Sequence, residues 1–165
     1  MRRTAGLGFG LGVALLVSAC SGSSEPEFAC PRVAAIQGLD RMPVTYPGND
    51  APSLVRVDVL EATCTHDDAE GFTVESAVAI QIAGAAPQGQ VQVPYSVSID
   101  TPGIVAVERT DVAVIPAGSR GTIERFSHNV GGVPAERGNQ VRILYSLVPD
   151  EANYERLEQE RPRGG

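Results

Sequence analysis

Phe72-Thr73-Val74-Glu75-Ser76-Ala77-Val78-Ala79-Ile80-Gln81-Ile82 alternates with a period of two. Phe72, Val74, Val78, Ile80 and Ile82 point one way; Thr73, Glu75, Ala77, Ala79 and Gln81 point the other. Successive side chains of an extended chain fall on opposite faces, so this stretch predicts a strand with one side on a core. Ser76 is the one residue that breaks the apolar face.

The same pattern recurs on either side. Val91, Val93, Tyr95, Val97 and Ile99 share a face, with Pro94 on the other. Proline cannot donate to a ladder, so this strand is expected to lie at a sheet edge or to carry a bulge. Leu54 to Cys64 starts with Val55, Val57 and Val59 on one face and continues with Leu60, Ala62 and Cys64, a change of phase that predicts a β-bulge. Ile104 to Glu108, Val112 to Ile115, Thr122 to His128 and Val141 to Val148 complete about seven strands, separated by Gly, Pro and Asp turns.

The fold class is therefore mainly β, an immunoglobulin/fibronectin-like two-sheet sandwich, with a small barrel as the open alternative. There is no Trp, so a Cys…Trp…Cys signature is absent. Pro149-Asp150-Glu151 opens a short C-terminal helix through Gln159, with acids facing the positive end of its dipole. Its few apolar residues, Ala152, Tyr154 and Leu157, predict weak docking or fraying.

Composition narrows the chemistry. Hydrophobic residues make up 42% of the 165, mostly Val, Ala, Ile and Leu, and β-branched side chains favour strands. The chain has no Lys, which excludes Schiff-base chemistry and a P-loop lysine. Its formal net charge is −7. Residues 1–19 hold Arg2, Arg3 and no acid, so the remainder carries 11 Arg against 20 Asp and Glu, about −9. Such a surface repels nucleic acid and anionic headgroups.

The N-terminus follows a secretory plan. Met1-Arg2-Arg3 is basic, Leu7 to Val17 is apolar but shorter than the roughly 20 residues of a membrane span, and Ser18-Ala19 are small. Leu16-Val17-Ser18-Ala19-Cys20 resembles the lipobox of bacterial lipoproteins. That resemblance implies cleavage before Cys20 and acylation of its sulfur and amine; two or three acyl chains anchor stably where one holds marginally. A plain secretory peptide followed by a chance Cys is the competing reading. Ser21 in place of Asp after the Cys implies sorting to the outer membrane, facing the periplasm. The division is 1–19 signal peptide, 20–29 lipidated Cys and tether, 30–148 sandwich, and 149–165 helix and tail.

With Cys20 assigned to lipid, Cys30 and Cys64 remain as a pair in an oxidising compartment and are expected to form a disulfide; two free buried thiols are the alternative. Across the mature chain the lipobox, Cys30-Pro31, the strand ending in Thr63-Cys64, the acidic turn after it, and Pro149-Asp150-Glu151…Tyr154 resemble uncharacterised envelope lipoproteins of alphaproteobacteria. The resemblance implies localisation and architecture, and brings no activity or cofactor.

Candidate chemistry is sparse. His66, Asp67, Asp68 and Glu70 could bind a divalent ion, but Asp and Gly in this order also make an ordinary wet hairpin loop, and the spacing is not that of a calcium loop. Ser127-His128-Asn129 would need a nucleophile and an acid from elsewhere, and no G-x-S-x-G elbow is present. Gly131 to Asn139 reads as a mobile loop open to partner contact. The expected function is that of a non-enzymatic, membrane-anchored envelope lipoprotein, a structural or accessory protein that binds another envelope component. A small-ligand, lipid or metal-binding lipoprotein is the alternative, and a hydrolase on a β scaffold the third.

Overall fold

The computed structural model describes residues 28–46 and 51–160. The expected signal peptide, Cys20 with the lipobox-like run before it, the expected tether through Glu27 and the tail from Arg161 lie outside the described residues.

Two four-stranded sheets enclose a core rich in valine, isoleucine and aromatic side chains. The strands are β1 (Arg32–Ala35), β2 (Arg41–Val44), β3 (Ser53–Asp67), β4 (Gly71–Ile82), β5 (Val91–Thr101), β6 (Ile104–Ile115), β7 (Gly121–Val130) and β8 (Arg142–Leu147). A 3₁₀ helix, Ala135–Gln140, precedes β8, and α1 (Glu151–Glu160) follows it. One sheet runs β1-β8-β5-β6 and the other β2-β3-β4-β7. β1 lies parallel to β8, and the other pairs are antiparallel.

β4 is the strand its alternation predicts. Phe72, Val74, Val78, Ile80 and Ile82 are buried, and so is Ser76. Ala77 and Ala79 on its outer face are buried too, because β4 is flanked on both sides. Ala77 lies between Glu61 of β3 and Arg125 of β7, whose side chains meet at 3.1 Å. A small residue there leaves the two neighbours free to reach each other across it.

The bulge of β3 falls between Val59 and Glu61. Val55, Val57 and Val59 share a face with Ile82, Ile80 and Val78; after one extra residue, Ala62, Cys64 and His66 take over that face opposite Ser76, Val74 and Phe72. The predicted change of phase occurs, but Leu60 is the inserted residue and is exposed, as is Ala62, where both were expected inside.

Three sequence readings need correction. β5 is central, between β8 and β6, although Pro94 suggested an edge. The Pro94 carbonyl accepts from the Val148 amide, so its donor-less nitrogen faces the same neighbour, at the point where β8 ends and little pairing is lost. The other expectation holds: the β5–β6 pairing carries a bulge, between Ile99 and Thr101. Second, Ile104 to Glu108 and Val112 to Ile115 are one strand: Arg109-Thr110-Asp111 passes as polar strand because β6 is the last strand of its sheet. Third, the four-residue strands β1 and β2 are too short to show a period, which brings the total among the described residues to eight.

The stretch Gly131 to Asn139 runs into the 3₁₀ helix and is pinned at two points. Val133 and Gly138 are buried, and a Cβ on Gly138 would collide with the Ala29 carbonyl and the Phe72 ring. At the opposite end of the sheets, Asp150 caps α1 by accepting from the Asn153 amide at 2.9 Å. Buried Asn153 donates its side-chain amide to Pro43 of β2 at 2.9 Å, so the helix is latched by polar contact where its apolar residues are few.

Candidate functional site

β6 and β7 close their respective sheets on the same side of the sandwich, and a cleft of about 460 Å³ opens between them. Ala113 and Ile115 of β6 are buried, which fixes the odd-numbered residues as inward-facing. Val107, Arg109 and Asp111 therefore point toward the cleft. From β7, Glu124, Phe126 and His128 enter it, being paired with the core-facing Val78, Ser76 and Val74. Charged side chains turned inward at a sheet edge keep that edge wet and leave the sandwich open on this side.

The floor is aromatic. The Phe126 ring lies 5.2 Å from Tyr145, 5.9 Å from Tyr95 and 5.7 Å from His128, stacked on the last at 14°. His128 Nε2 is 2.7 Å from Tyr145 Oη, which is 2.7 Å from Ser76 Oγ. The residue that breaks the apolar face of β4 thus has its partner on the opposite sheet. The chain is satisfied in either direction. With Nδ1 protonated, Ser76 donates to Tyr145 and Tyr145 to His128; a proton on Nε2 reverses both bonds.

Electrostatics keep the floor neutral. Burial, with Arg109 adding to it, holds His128 below the usual imidazole range. Burial pushes the Tyr145 hydroxyl up, against the Ser76 hydrogen bond. Tyr95 is pushed up to about 12 by burial, then by the Asp111 and Glu124 carboxylates. Tyr145 stands between His128 and Ser76, so the imidazole reaches a phenol and not a serine nucleophile. This arrangement can hold and reorient one proton, and it offers a mixed-charge rim above an apolar floor.

The other sequence-predicted residues lie at the end of the sandwich where the described chain begins. Cys30 and Cys64 form a disulfide, joining that start to β3. His66 sits against Phe72 at 4.6 Å and Phe28 at 5.9 Å, with Nε2 3.3 Å from the Val133 carbonyl and Nδ1 3.7 Å from Asp68. Asp67 accepts from the Ala69 and Glu70 amides and so shapes the hairpin. Among the described residues no three His, Cys, Asp or Glu side chains are grouped to hold a metal ion. No described helix is long and apolar enough to cross a membrane.

No family model, curated protein or solved structure matches this chain.

The cleft residues were mostly invisible in the sequence. Of them only His128 was singled out, and for a different chemistry. Two signals pointed to the rest: Ser76 within an apolar face implied a buried polar partner, and Arg109 and Asp111 share parity with Ala113 and Ile115.

Proposed function

We propose that the chain is an envelope lipoprotein, anchored through acyl chains on Cys20, facing the periplasm from the outer membrane. It serves as a structural or accessory protein that binds another envelope component along the open side of its sandwich. The lipobox-like run before Cys20 supports the anchor, and the Cys30–Cys64 disulfide suits an oxidising compartment.

The observation that carries the reading is the state of the two edges. Among the described residues β6 pairs only with β5 and β7 only with β4. Ile104, Val107, Val112 and Val114 of β6 are 57%, 63%, 47% and 42% exposed, and Ile123 of β7 is 55% exposed. Long unpaired edges with exposed aliphatic side chains are what strand-to-strand recognition uses.

The test is photo-crosslinking in intact cells with a photoreactive residue at Val112 or Ile123, and at Thr65 on the far face of β3 as control. A discrete adduct with an envelope protein from the first two sites, lost when Cys20→Ser releases the chain, supports the reading. No adduct at either site overturns it.

The cleft favours a second reading, a small-ligand lipoprotein, since it joins an apolar floor to the polar groups of Arg109, Glu124 and His128. A small molecule that co-purifies with the native protein and is lost on Phe126→Ala would support that reading instead.

A further inference from the structure

We propose that β6 pairs with β6 of a second copy of this chain, antiparallel about a two-fold axis at Thr110, joining two four-stranded sheets into one of eight. The inference rests on the reading of the open side as a protein-contact surface, and it names the partner of one edge.

The hydrogen-bonding phase of β6 follows from the Val148-to-Pro94 bond. Pro94 faces β8, so the even-numbered residues of β5 bond to β8 and the odd-numbered ones to β6. Residues of β6 opposite even positions therefore turn their amides and carbonyls outward. These are Glu108, Thr110, Val112 and Val114, all with backbone groups on the free edge.

The sequence of this edge, Ile104-Val105-Ala106-Val107-Glu108-Arg109-Thr110-Asp111-Val112-Ala113-Val114-Ile115, places two charges of opposite sign on either side of Thr110 between aliphatic ends. An antiparallel second copy can therefore bring each charge opposite its complement. In a continuous sheet, facing residues lie on one face and so share parity, which leaves two central registers. Centred on Arg109, the pairing sets Arg109 against Arg109 and Val107 against Asp111. Centred on Thr110, it sets Arg109 against Asp111 twice, Thr110 against itself, Glu108 against Val112, and Val107 against Ala113. Opposite-charge and Thr–Thr cross-strand pairs are favourable and facing like charges are not, so charge selects the second register. Thr110, being even-numbered, places a hydrogen-bonded pair on the axis.

Asp111 holds the edge until then. Its carboxylate accepts from the Val112 amide at 2.8 Å and from Arg109 at 3.3 Å, occupying one outward-facing donor. In the dimer the Glu108 carbonyl of the second copy takes the Val112 amide, and Asp111 turns to the Arg109 of that copy. The exchange trades one internal ion pair per protomer for one between protomers. Antiparallel pairing sets the two chain starts at opposite ends of the joined sheet. The strands then lie along the membrane, and a tether from Cys20 to Phe28 spans up to about 3.4 Å per residue on each side.

The experiment is a charge-reversal cycle read by sedimentation of the full lipidated chain in detergent, with circular dichroism as the folding control. The native protein is expected to be a concentration-dependent dimer. Arg109→Asp or Asp111→Arg should each weaken it tenfold or more, and the two together should restore it. Under mild oxidation, copies carrying Arg109→Cys should cross-link with copies carrying Asp111→Cys, and neither alone. A monomer at every concentration, a double variant no better than the singles, or cross-linking of Arg109→Cys with itself overturns the proposal. A monomeric chain that still forms the Val112 adduct with another envelope protein refutes the dimer and keeps the proposed function. A dimer without any other adduct does the reverse.

Discussion

Tyr145 Oη on β8 lies 2.7 Å from Ser76 Oγ on β4, a hydrogen bond between the two sheets made by residues 69 positions apart. Both are buried, and the same phenol reaches His128 on the rim of the cleft. One hydroxyl therefore ties the core to the open side.

Tyr145→Phe strands both Ser76 and His128 Nε2. Leaving a buried donor or acceptor unpaired costs about 1–3 kcal/mol, whereas Ser76→Ala leaves Tyr145 still bonded to His128 and should cost about 1 kcal/mol. Urea unfolding of the two variants measures the order. A neutral Tyr145→Phe would mean the three groups are not linked.

His128 makes stability depend on pH in a defined direction. Its folded value is lowered, by burial first and Arg109 second, so as pH falls the unfolded chain binds the proton earlier. The His128 contribution is complete above about pH 6.5, is lost progressively below it, and levels off once the folded imidazole is also protonated. Thermal melts of the native protein and His128→Gln between pH 8 and 5 should converge in slope only if another group is responsible; a flatter profile for the variant is the expected result.

Reduction, or replacement of Cys30 and Cys64 together by Ser, releases a loop with a sequence separation of 34. The chain-entropy argument sets the loss at about 4 kcal/mol for a loop of that size. Guanidinium unfolding with and without reductant checks it, and an unchanged midpoint would contradict the disulfide.

Gly138→Ala should destabilise by about 1–3 kcal/mol, because the new methyl collides with the Ala29 carbonyl and the Phe72 ring in a packed site. Gly132→Ala is a useful comparison. Nothing crowds a Cβ there, and only the positive φ of 72° opposes it. A larger loss at Gly138 would identify steric crowding as the cause.

Much of the architecture was legible locally. Alternation located β3, β4 and β5, strand-like runs between turns located β7 and β8, the doubled phase of Val59 and Leu60 located the bulge, and counting cysteines paired Cys30 with Cys64. The misreadings share a cause. Pro94 reads locally as an edge residue because the end of β8, which excuses its missing amide, lies more than fifty positions downstream. Arg109-Thr110-Asp111 reads as a break because nothing local says that β6 is the outermost strand, where inward charges face a wet cleft.

Residue order alone established that the chain forms strands with one apolar face, which cysteines were available to pair, and that Ser76 interrupts such a face. Those are consequences of backbone geometry and residue chemistry over a few residues. Tertiary structure alone decided which strands end the sheets, that Tyr145 is the partner of Ser76, and that the edges of β6 and β7 stand open around His128. These depend on the order in which strands dock, and that order is set by the fit of side chains far apart along the chain.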